Sequence, residues 1–174
     1  MVSQRVGAAD LPAAVAWVMK RLGIGAADVL GQSREPRVRI QKVVYILRSA
    51  GIDAYRVFEY GMYAYGPYSP SLAVIYYMLA RKGDEAIDEF ASRHRPTRRE
   101  EELVDWLRGK SVEWLEAAAT ILMLVGENPG LARSRRRLVK EVRRVKPWLD
   151  KRLVDEAARE LSEKGLLEGL GKAG

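Results

Sequence analysis

The sequence predicts a mainly α-helical protein. We expect a compact multi-helix domain with a small aromatic β-hairpin or paired strands near residues 54–65 and a helix-turn-helix-like pair of helices at the C-terminal end. Apolar residues recur at helical spacing along most of the 174 residues, and glycine, proline or capping residues separate these segments. Hydrophobic residues make up 48% of the chain and charged residues 30%, which is typical of a globular domain with a sizeable core.

The first helices are predicted from their periodicity and their ends. One spans residues 11–22 and another spans 37–50, where apolar residues recur on one stripe. Ser69 can cap a helix over 70–82 that carries proline in its first turn. A short helix over 84–91 follows it.

Residues 55–65, YRVFEYGMYAY, have a different composition. Aromatic and β-branched residues favour extended structure, and Gly61 in the middle predicts a bulge or the turn of a short hairpin. A second short strand is predicted at 166–170, close to the C-terminus.

The second half of the chain predicts four further helices. Thr97 with Glu100 three residues later forms a capping box, and Ser111 caps a helix that is apolar on most sides and therefore central. Another helix runs over 129–145, and Asp150 caps the last one. We expect a single domain over 1–174, in which a composition change near residue 109 allows a subdivision into an aromatic-rich part, 1–109, and a C-terminal helical part, 110–174.

The composition excludes several kinds of chemistry. Cysteine is absent, so the chain has no disulfide, thiolate metal site or cysteine nucleophile. His94 is the single histidine, and its place between two arginines in a loop is typical of a surface residue. No nucleotide-binding loop or nucleophile elbow is present. We therefore expect a protein that is not an enzyme and uses no metal or cofactor.

The charge balance favours acidic partners. The net charge is +7, with arginine far more frequent than lysine, and basic proteins of this kind often bind nucleic acid. Few thermolabile residues are present, which suits a thermophile's protein, although biased codon usage gives the same excess of arginine. No apolar run is long enough to cross a membrane and no signal peptide is apparent, so we expect a cytoplasmic protein without membrane contact.

All eight tyrosines lie between Tyr45 and Tyr77. Aromatic rings close to cations such as Arg37, Arg39 and Lys42 can stack on bases while the cations hold phosphates. The alternative is that the rings form a core around the hairpin, in which each hydroxyl group reaches one polar partner.

The same region resembles a known family. The segments QKVVYILRSAGI and YRVFEYGMYAYGPYSPSL resemble the YwgA-like uncharacterised prokaryotic proteins and, more distantly, the Panacea domain of SocA-like antitoxins. The matching positions are Gln41, Lys42, Tyr45, Leu47, Phe58, Tyr65, Gly66, Pro67, Tyr68 and Ser69. The resemblance implies a non-enzymatic role linked to toxin neutralisation. It also implies that this motif describes a fold nucleus more than a binding site.

Residues 133–146, RSRRRLVKEVRRVK, form the most basic segment, with eight cations and one acid. On a helical wheel one side carries a basic stripe: Arg133, Arg136, Arg137, Lys140 and Arg144. The opposite side carries Leu131, Leu138, Val142 and Val145. The apolar side should pack on the core, and the basic stripe, about 17 Å long, could meet several phosphates. The alternative is a solvated face paired with the acids Asp84, Glu85, Asp88 and Glu89.

The last two helices and the GLLEGL segment resemble the end of a winged helix, although two packed helices of a helical domain would give the same pattern. Acids balance the cations of the last helix, so phosphate contacts would position the protein without reading a base sequence.

We therefore expect a nucleic-acid-associated regulatory or antitoxin-like protein that holds the backbone of DNA or RNA with the basic stripe. Arg37, Arg39 and Lys42 would extend that surface. The alternative is a protein-interaction module, in which the tyrosine-rich segment 55–77 binds a partner chain or forms a homodimer.

Overall fold

The structure is a computed structural model that describes residues 10–168. Within these residues the chain forms nine α-helices and one two-stranded antiparallel sheet. The helices are α1 (Asp10–Arg21), α2 (Ala26–Leu30), α3 (Glu35–Ser49), α4 (Pro70–Lys82), α5 (Asp84–Ser92), α6 (Arg98–Leu107), α7 (Val112–Glu127), α8 (Arg135–Val145) and α9 (Lys151–Glu163). The strands are β1 (Gly61–Tyr63) and β2 (Gly66–Tyr68). The predicted mainly helical fold with a paired-strand hairpin is confirmed.

The described residues group into two compact units. The first unit consists of residues 10–61 and 68–109, and the second consists of residues 62–67 and 110–168. The division near residue 109 follows the composition change. The assignment of the hairpin tip, residues 62–67, to the second unit has no signal in the sequence.

Helices α1 and α3 contain the longest unbroken buried segments of the first unit. Residues 13–19 of α1 are all buried, and α1 packs against α3, α4, α5 and α6. Residues 40–47 of α3 are likewise buried without a break, including two polar side chains. The sequence predicted only one buried stripe on this helix, because its polar residues were assigned to solvent.

Gln41 joins the middle of α3 to the start of α4. Its side-chain amide donates to the carbonyl oxygen of Ser69 at 2.9 Å, and its side-chain oxygen accepts from the Ser69 backbone N–H at 2.9 Å. The Ser69 hydroxyl group then accepts from the N–H of Leu72 at 3.4 Å and caps α4 as predicted. This reciprocal pair of hydrogen bonds satisfies the buried side-chain amide of Gln41 and the buried backbone groups of Ser69.

The hairpin begins later than the sequence predicted. Residues 53–55 form a 3₁₀ turn instead of a strand, because Tyr55 and Phe58 are both buried at a three-residue spacing that an extended strand cannot provide. Gly61 is the first residue of β1 and does not lie in the turn of the hairpin. Gly66 enters β2 with φ of 95°, a conformation that side chains other than glycine rarely adopt.

Helix α7 is the centre of the second unit. Residues 114–122 are all buried, and α7 packs against α8, α9 and a 3₁₀ turn at Pro129–Arg133, as its apolar sequence predicts. The helix predicted over 129–145 is wrong in one respect, because Ser134 divides it. The backbone of Ser134 is extended, and its hydroxyl group caps α8 by accepting from the N–H of Arg137 at 3.3 Å.

Helices α8 and α9 pack against each other and form the predicted helix-turn-helix-like pair. Asp150 caps α9 by accepting from the N–H groups of Arg152 and Leu153, at 2.8 and 3.2 Å. Residues 166–168 form no strand, and the rest of the predicted strand at 166–170 lies outside the described residues. No helix within residues 10–168 is long and apolar enough to span a bilayer.

Replacing Gln41 by leucine tests the link between α3 and α4. The Q41L variant keeps roughly the size of the side chain and leaves the buried Ser69 N–H without a partner, whereas the Ser69 carbonyl oxygen still accepts from the N–H of Ala73 at 3.2 Å. We expect a loss of about 1–3 kcal/mol in the free energy of unfolding, which is the cost of one orphaned group. Urea unfolding measures the loss. The matched control is Q32L, at an exposed glutamine, and a Q41L variant as stable as Q32L would contradict this role of Gln41.

Because the first unit contains buried tyrosine hydroxyl groups, we expect its stability to fall at alkaline pH. Burial raises the pKa of Tyr55, Tyr60 and Tyr76 above the ordinary value of 10.0, so each keeps its proton in the folded state after the unfolded chain has lost it. Each therefore contributes stability that is complete below pH 10 and is lost as the pH rises through the folded pKa, at about 1.4 kcal/mol per pH unit.

The Y60F variant tests how much the hydroxyl proton of Tyr60 contributes to this pH dependence. The Tyr60 hydroxyl group is buried without a hydrogen-bond partner among the described residues, so its removal should leave stability at pH 7 unchanged or slightly higher. Above pH 10 we expect stability to fall less steeply in Y60F than in the unchanged chain, by about 1.4 kcal/mol per pH unit. Urea unfolding at a series of pH values measures both slopes, and equal slopes would show that Tyr60 titrates normally.

Candidate nucleic-acid interface

Helix α8 separates its apolar and basic residues as the sequence predicted. Leu138 and Val142 are buried and Val145 is half-buried, and the structure adds Val139 to this face. All five residues of the basic stripe are exposed. Four of them lie on α8 itself, which is about 16 Å long, whereas Arg133 lies in the 3₁₀ turn that precedes it.

Acidic residues neutralise only part of this segment. Arg135 pairs with Asp155 of α9 at 3.1 Å, and Arg144 pairs with Glu141 at 3.0 Å. Five cations of the segment make no ion pair or side-chain hydrogen bond with any of the described residues: Arg133, Arg136, Arg137, Lys140 and Arg143. We call these the unpaired cations. Arg143 was not part of the predicted stripe, and Arg144 is the predicted member that has a partner.

Three of the four acids that the alternative interpretation offered as partners have contacts within the first unit. Asp84 accepts from the backbone N–H of Ala26 at 2.8 Å. Asp88 lies 3.3 Å from Lys20, and Glu89 lies 2.6 Å from Arg93. These exposed pairs are each worth little, but they show that the acidic face of α5 has local cations of its own.

An open groove runs between α8 and the beginning of α9. Its basic lining comes from Arg136, Lys140, Arg143 and Lys151, and Val139 contributes an apolar wall. The Arg135–Asp155 pair also lines the groove and supplies its single carboxylate. The groove is therefore strongly cationic and partly open to solvent, which suits a polyanion better than a small enclosed ligand.

Helix α9 does not add a basic reading face. Asp150 already occupies the first N–H groups of the helix, so these are not available to a phosphate. Further along, Arg159 pairs with Glu163 at 2.9 Å, and Glu160 pairs with Lys110. The cations of α9 are thus balanced by acids, as its sequence predicts, and the helix has no uniformly basic face.

The predicted extension of the basic surface in the first unit is wrong for Lys42, whose side chain is buried and 1% exposed. The other two predicted residues are engaged in local contacts. Arg37 donates to the carbonyl oxygens of Val29 and Gly31, at 2.7 and 2.9 Å, at the end of α2. Arg39 lies 3.4 Å from Glu35 on its own helix and is mostly buried.

The tyrosines divide between core and surface. Tyr45, Tyr55 and Tyr76 are buried, which favours the core interpretation of this region. Tyr45 and Tyr60 stack edge to face, with ring centroids 4.8 Å apart. Only the hairpin tip presents exposed tyrosines in the described part of the chain, and these belong to the second unit.

The positions that carry the family resemblance are mainly packing residues. The Gln41–Ser69 pair and the buried Tyr45 and Phe58 hold the first unit together. Gly66 and Pro67 are buried in the hairpin, Tyr68 is half-buried and Tyr65 is exposed. Comparison of the chain with protein-family models, curated proteins and solved structures found no match.

Lys146 has a role that the sequence did not reveal. It belongs to the basic segment, yet it is 1% exposed, and its ammonium group donates to the carbonyl oxygens of Tyr63, at 2.8 Å, and Ala64 in the hairpin tip. Glu116 of α7 lies 3.9 Å away and accepts a hydrogen bond from the indole of Trp148 at 3.2 Å. Burial lowers the pKa of Lys146 below 10.5, and Glu116 partly offsets this effect.

His94 is not a surface residue, contrary to the expectation from its loop sequence. Its ring nitrogen lies 2.7 Å from the buried carboxylate of Glu100, which also accepts from the hydroxyl group of Tyr55 at 2.8 Å. Burial, together with the Glu100 charge, raises the pKa of Tyr55. Thr97 caps α6 as predicted, but the Glu100 side chain turns inward. Its spacing from Leu103 and Leu107 on the apolar face of α6 is the sequence signal for this burial.

No group of three or more acidic or histidine side chains in the described residues is arranged to hold a metal ion. The Tyr55–Glu100–His94 network is an internal hydrogen-bonded cluster whose carboxylate is buried. The open, charged groove beside α8 is therefore the best candidate site in the second unit.

Removing the Lys146 ammonium group should loosen the hairpin tip. In K146M two carbonyl groups lose their donor and the Glu116 carboxylate loses its buried counter-ion, so we expect about 3 kcal/mol of destabilisation. Hydrogen exchange should also become faster at residues 62–67. The double variant K146M/E116Q removes the uncompensated charge and should recover part of the loss. Equal stability of K146M and the unchanged chain would contradict this role.

Proposed function

We propose that the chain is a cytoplasmic, non-enzymatic, nucleic-acid-associated regulatory or antitoxin-like protein that holds a phosphate backbone with the exposed face of α8. One observation carries the proposal. The five unpaired cations lie together on and just before one helix, and no described acid neutralises them. Cations that fold next to each other without acids are available to an external polyanion, and binding releases the counter-ions that surround that polyanion.

The spacing within α8 strengthens this argument. Lys140 has an arginine three or four residues away on each side: Arg136, Arg137, Arg143 and Arg144. Like charges at these spacings lie on neighbouring turns of a helix and destabilise it. A bound phosphate backbone would relieve this repulsion, so the helix gains more from an anionic ligand than a helix with alternating charges would.

The mixed charges of α9 favour binding without base-sequence preference. Phosphate contacts fix the position and orientation of a protein on nucleic acid but carry no sequence information. We therefore expect similar affinities for unrelated sequences and a strong dependence on salt. A regulatory or antitoxin-like protein of this kind would act by occupying nucleic acid or by presenting it to a partner.

The second candidate function is a protein-interaction module that uses residues 55–77. Tyr63 and Tyr65 favour it because they are 55% and 49% exposed. Buried Tyr55 and Tyr76 weigh against it, because core residues are not available to a partner. Sedimentation velocity with and without nucleic acid would show whether the chain forms a homodimer.

Charge reversal on α8 tests the first proposal. In R136E/K140E two unpaired cations become acids one turn apart, and Glu at position 136 lies near the helix N-terminus, where the dipole favours it. Fluorescence anisotropy with labelled duplex DNA and single-stranded RNA should show binding that weakens steeply with salt. The log–log salt slope should become shallower by about 1.4–1.8 in the variant, because each lost phosphate contact contributes about 0.7–0.9.

The matched control is R98E/R99E, which makes the same change in net charge at exposed positions of α6. The control should lose much less affinity than R136E/K140E, because the proposal depends on the location of the cations and not on their number. Equal losses in both variants would indicate diffuse charge attraction. Absence of binding by the unchanged chain at low salt would overturn the proposal.

A further inference from the structure

The second unit exposes three large aromatic rings, in the hairpin tip and in the turn that follows α8. Trp148 is 60% exposed, although it lies in the turn between two packed helices where a tryptophan usually contributes to the core. Tyr63 and Tyr65 are the exposed tyrosines of the hairpin tip. These three large rings remain in contact with water, so packing in the core of the second unit does not explain why they are aromatic.

Buried Lys146 connects the hairpin tip to Trp148. Its ammonium group donates to the carbonyl oxygen of Tyr63 and lies 5.1 Å from the centroid of the Trp148 ring. Trp148 is also fixed at its polar edge, because its indole N–H donates to Glu116. The ring is therefore exposed but held in place, so a ligand that stacks on it pays little for ordering the side chain.

We propose that Trp148, with Tyr63 and Tyr65, forms a base-stacking platform that makes single-stranded nucleic acid the preferred ligand of the α8 cations. This inference rests on the proposed function. Bases of a single strand can turn their flat faces towards aromatic side chains, whereas the bases of a duplex are already stacked on each other. Unpaired cations on one helix and an exposed ring in the turn that follows this helix match the two chemical components of such a strand, its phosphates and its bases.

The distance along the chain is suitable for one ligand. Trp148 follows Arg144 by four residues, so their Cα atoms are at most about 14 Å apart. Lys140 lies one helical turn further back, about 6 Å along the axis of α8. A strand of a few nucleotides can therefore place phosphates against the α8 cations while one or two bases reach Trp148.

Charge complementarity favours nucleic acid over a protein partner at this cluster. A protein that covered the exposed rings would come close to the α8 cations and would have to desolvate or neutralise them. A single strand supplies one phosphate for each base, so it neutralises the cations and covers the rings together.

The experiment compares three fluorescent probes of equal length: an oligothymidine strand, the same sugar–phosphate strand without bases, and a duplex. Anisotropy gives the affinity of each for the unchanged chain and for W148A. We expect W148A to bind oligothymidine about tenfold more weakly. Its affinities for the abasic strand and the duplex should not change, and neither should its salt slope, since stacking releases no counter-ions.

The W148F variant separates stacking from the fold. It keeps an aromatic ring but loses the hydrogen bond to Glu116, so it should retain most of the affinity for oligothymidine. An equal loss of affinity for all three probes in W148A would overturn the platform, and so would unchanged binding of oligothymidine. Dissociation of a homodimer in W148A would assign the cluster to self-association instead.

Failure of the two proposals can be distinguished. Suppose that the unchanged chain binds the abasic strand, that R136E/K140E does not bind it, and that W148A binds all three probes as the unchanged chain does. The phosphate-binding function then stands and the platform is wrong. If the unchanged chain binds none of the three probes at low salt, both are wrong.

Discussion

The ammonium group of Lys146 imposes the constraint on which the second unit depends. A charged amine that is almost fully buried must find hydrogen-bond acceptors in the interior, because the penalty for leaving it unpaired exceeds what any single contact contributes. Two carbonyl oxygens of the hairpin tip and the carboxylate of Glu116 meet this requirement. The hairpin tip thereby belongs to the same unit as α7 and α8, and Trp148 is held beside it.

The first unit is organised by the same physical requirement at different residues. Gln41 makes two hydrogen bonds with the backbone of Ser69. The Glu100 carboxylate accepts a hydrogen bond from the hydroxyl group of Tyr55 and makes a second one with the ring of His94. In each case a polar side chain within an apolar helix face joins segments that are far apart in sequence. These contacts define which segments pack together, whereas the apolar residues around them contribute most of the free energy of burial.

Local features of the fold could be predicted, because their causes lie within a few residues. Helix caps at Ser69, Ser111 and Asp150 follow from a hydroxyl or carboxyl group placed before an apolar helix. The exposed side of α8 follows from a period of 3.6 residues. The division of the predicted helix at Ser134 was missed, since a serine inside a basic run has no periodic signature.

The contacts of the buried polar residues could not be predicted, because their partners are distant in sequence. Lys146 lies 83 residues from Tyr63, and Glu100 lies 45 residues from Tyr55. Composition favoured strand structure over all of 55–65, but a three-residue spacing of buried rings turned its first half into a 3₁₀ turn and a loop. The burial of Lys42 could not be predicted either, because lysine is rarely found in a protein core.

The basic segment shows why charge alone is an incomplete guide to a binding surface. The eight cations of this segment occupy three different environments. Arg135 and Arg144 pair with acids, the Lys146 side chain is buried against the hairpin tip, and the other five face solvent without a partner among residues 10–168. Helical angle decides between core and solvent, and the position of Lys146 just beyond the end of α8 explains why it departs from the stripe. Five cations of this segment therefore have no protein partner among the described residues, and under the proposed function the salt dependence of binding would report how many of them contact phosphates.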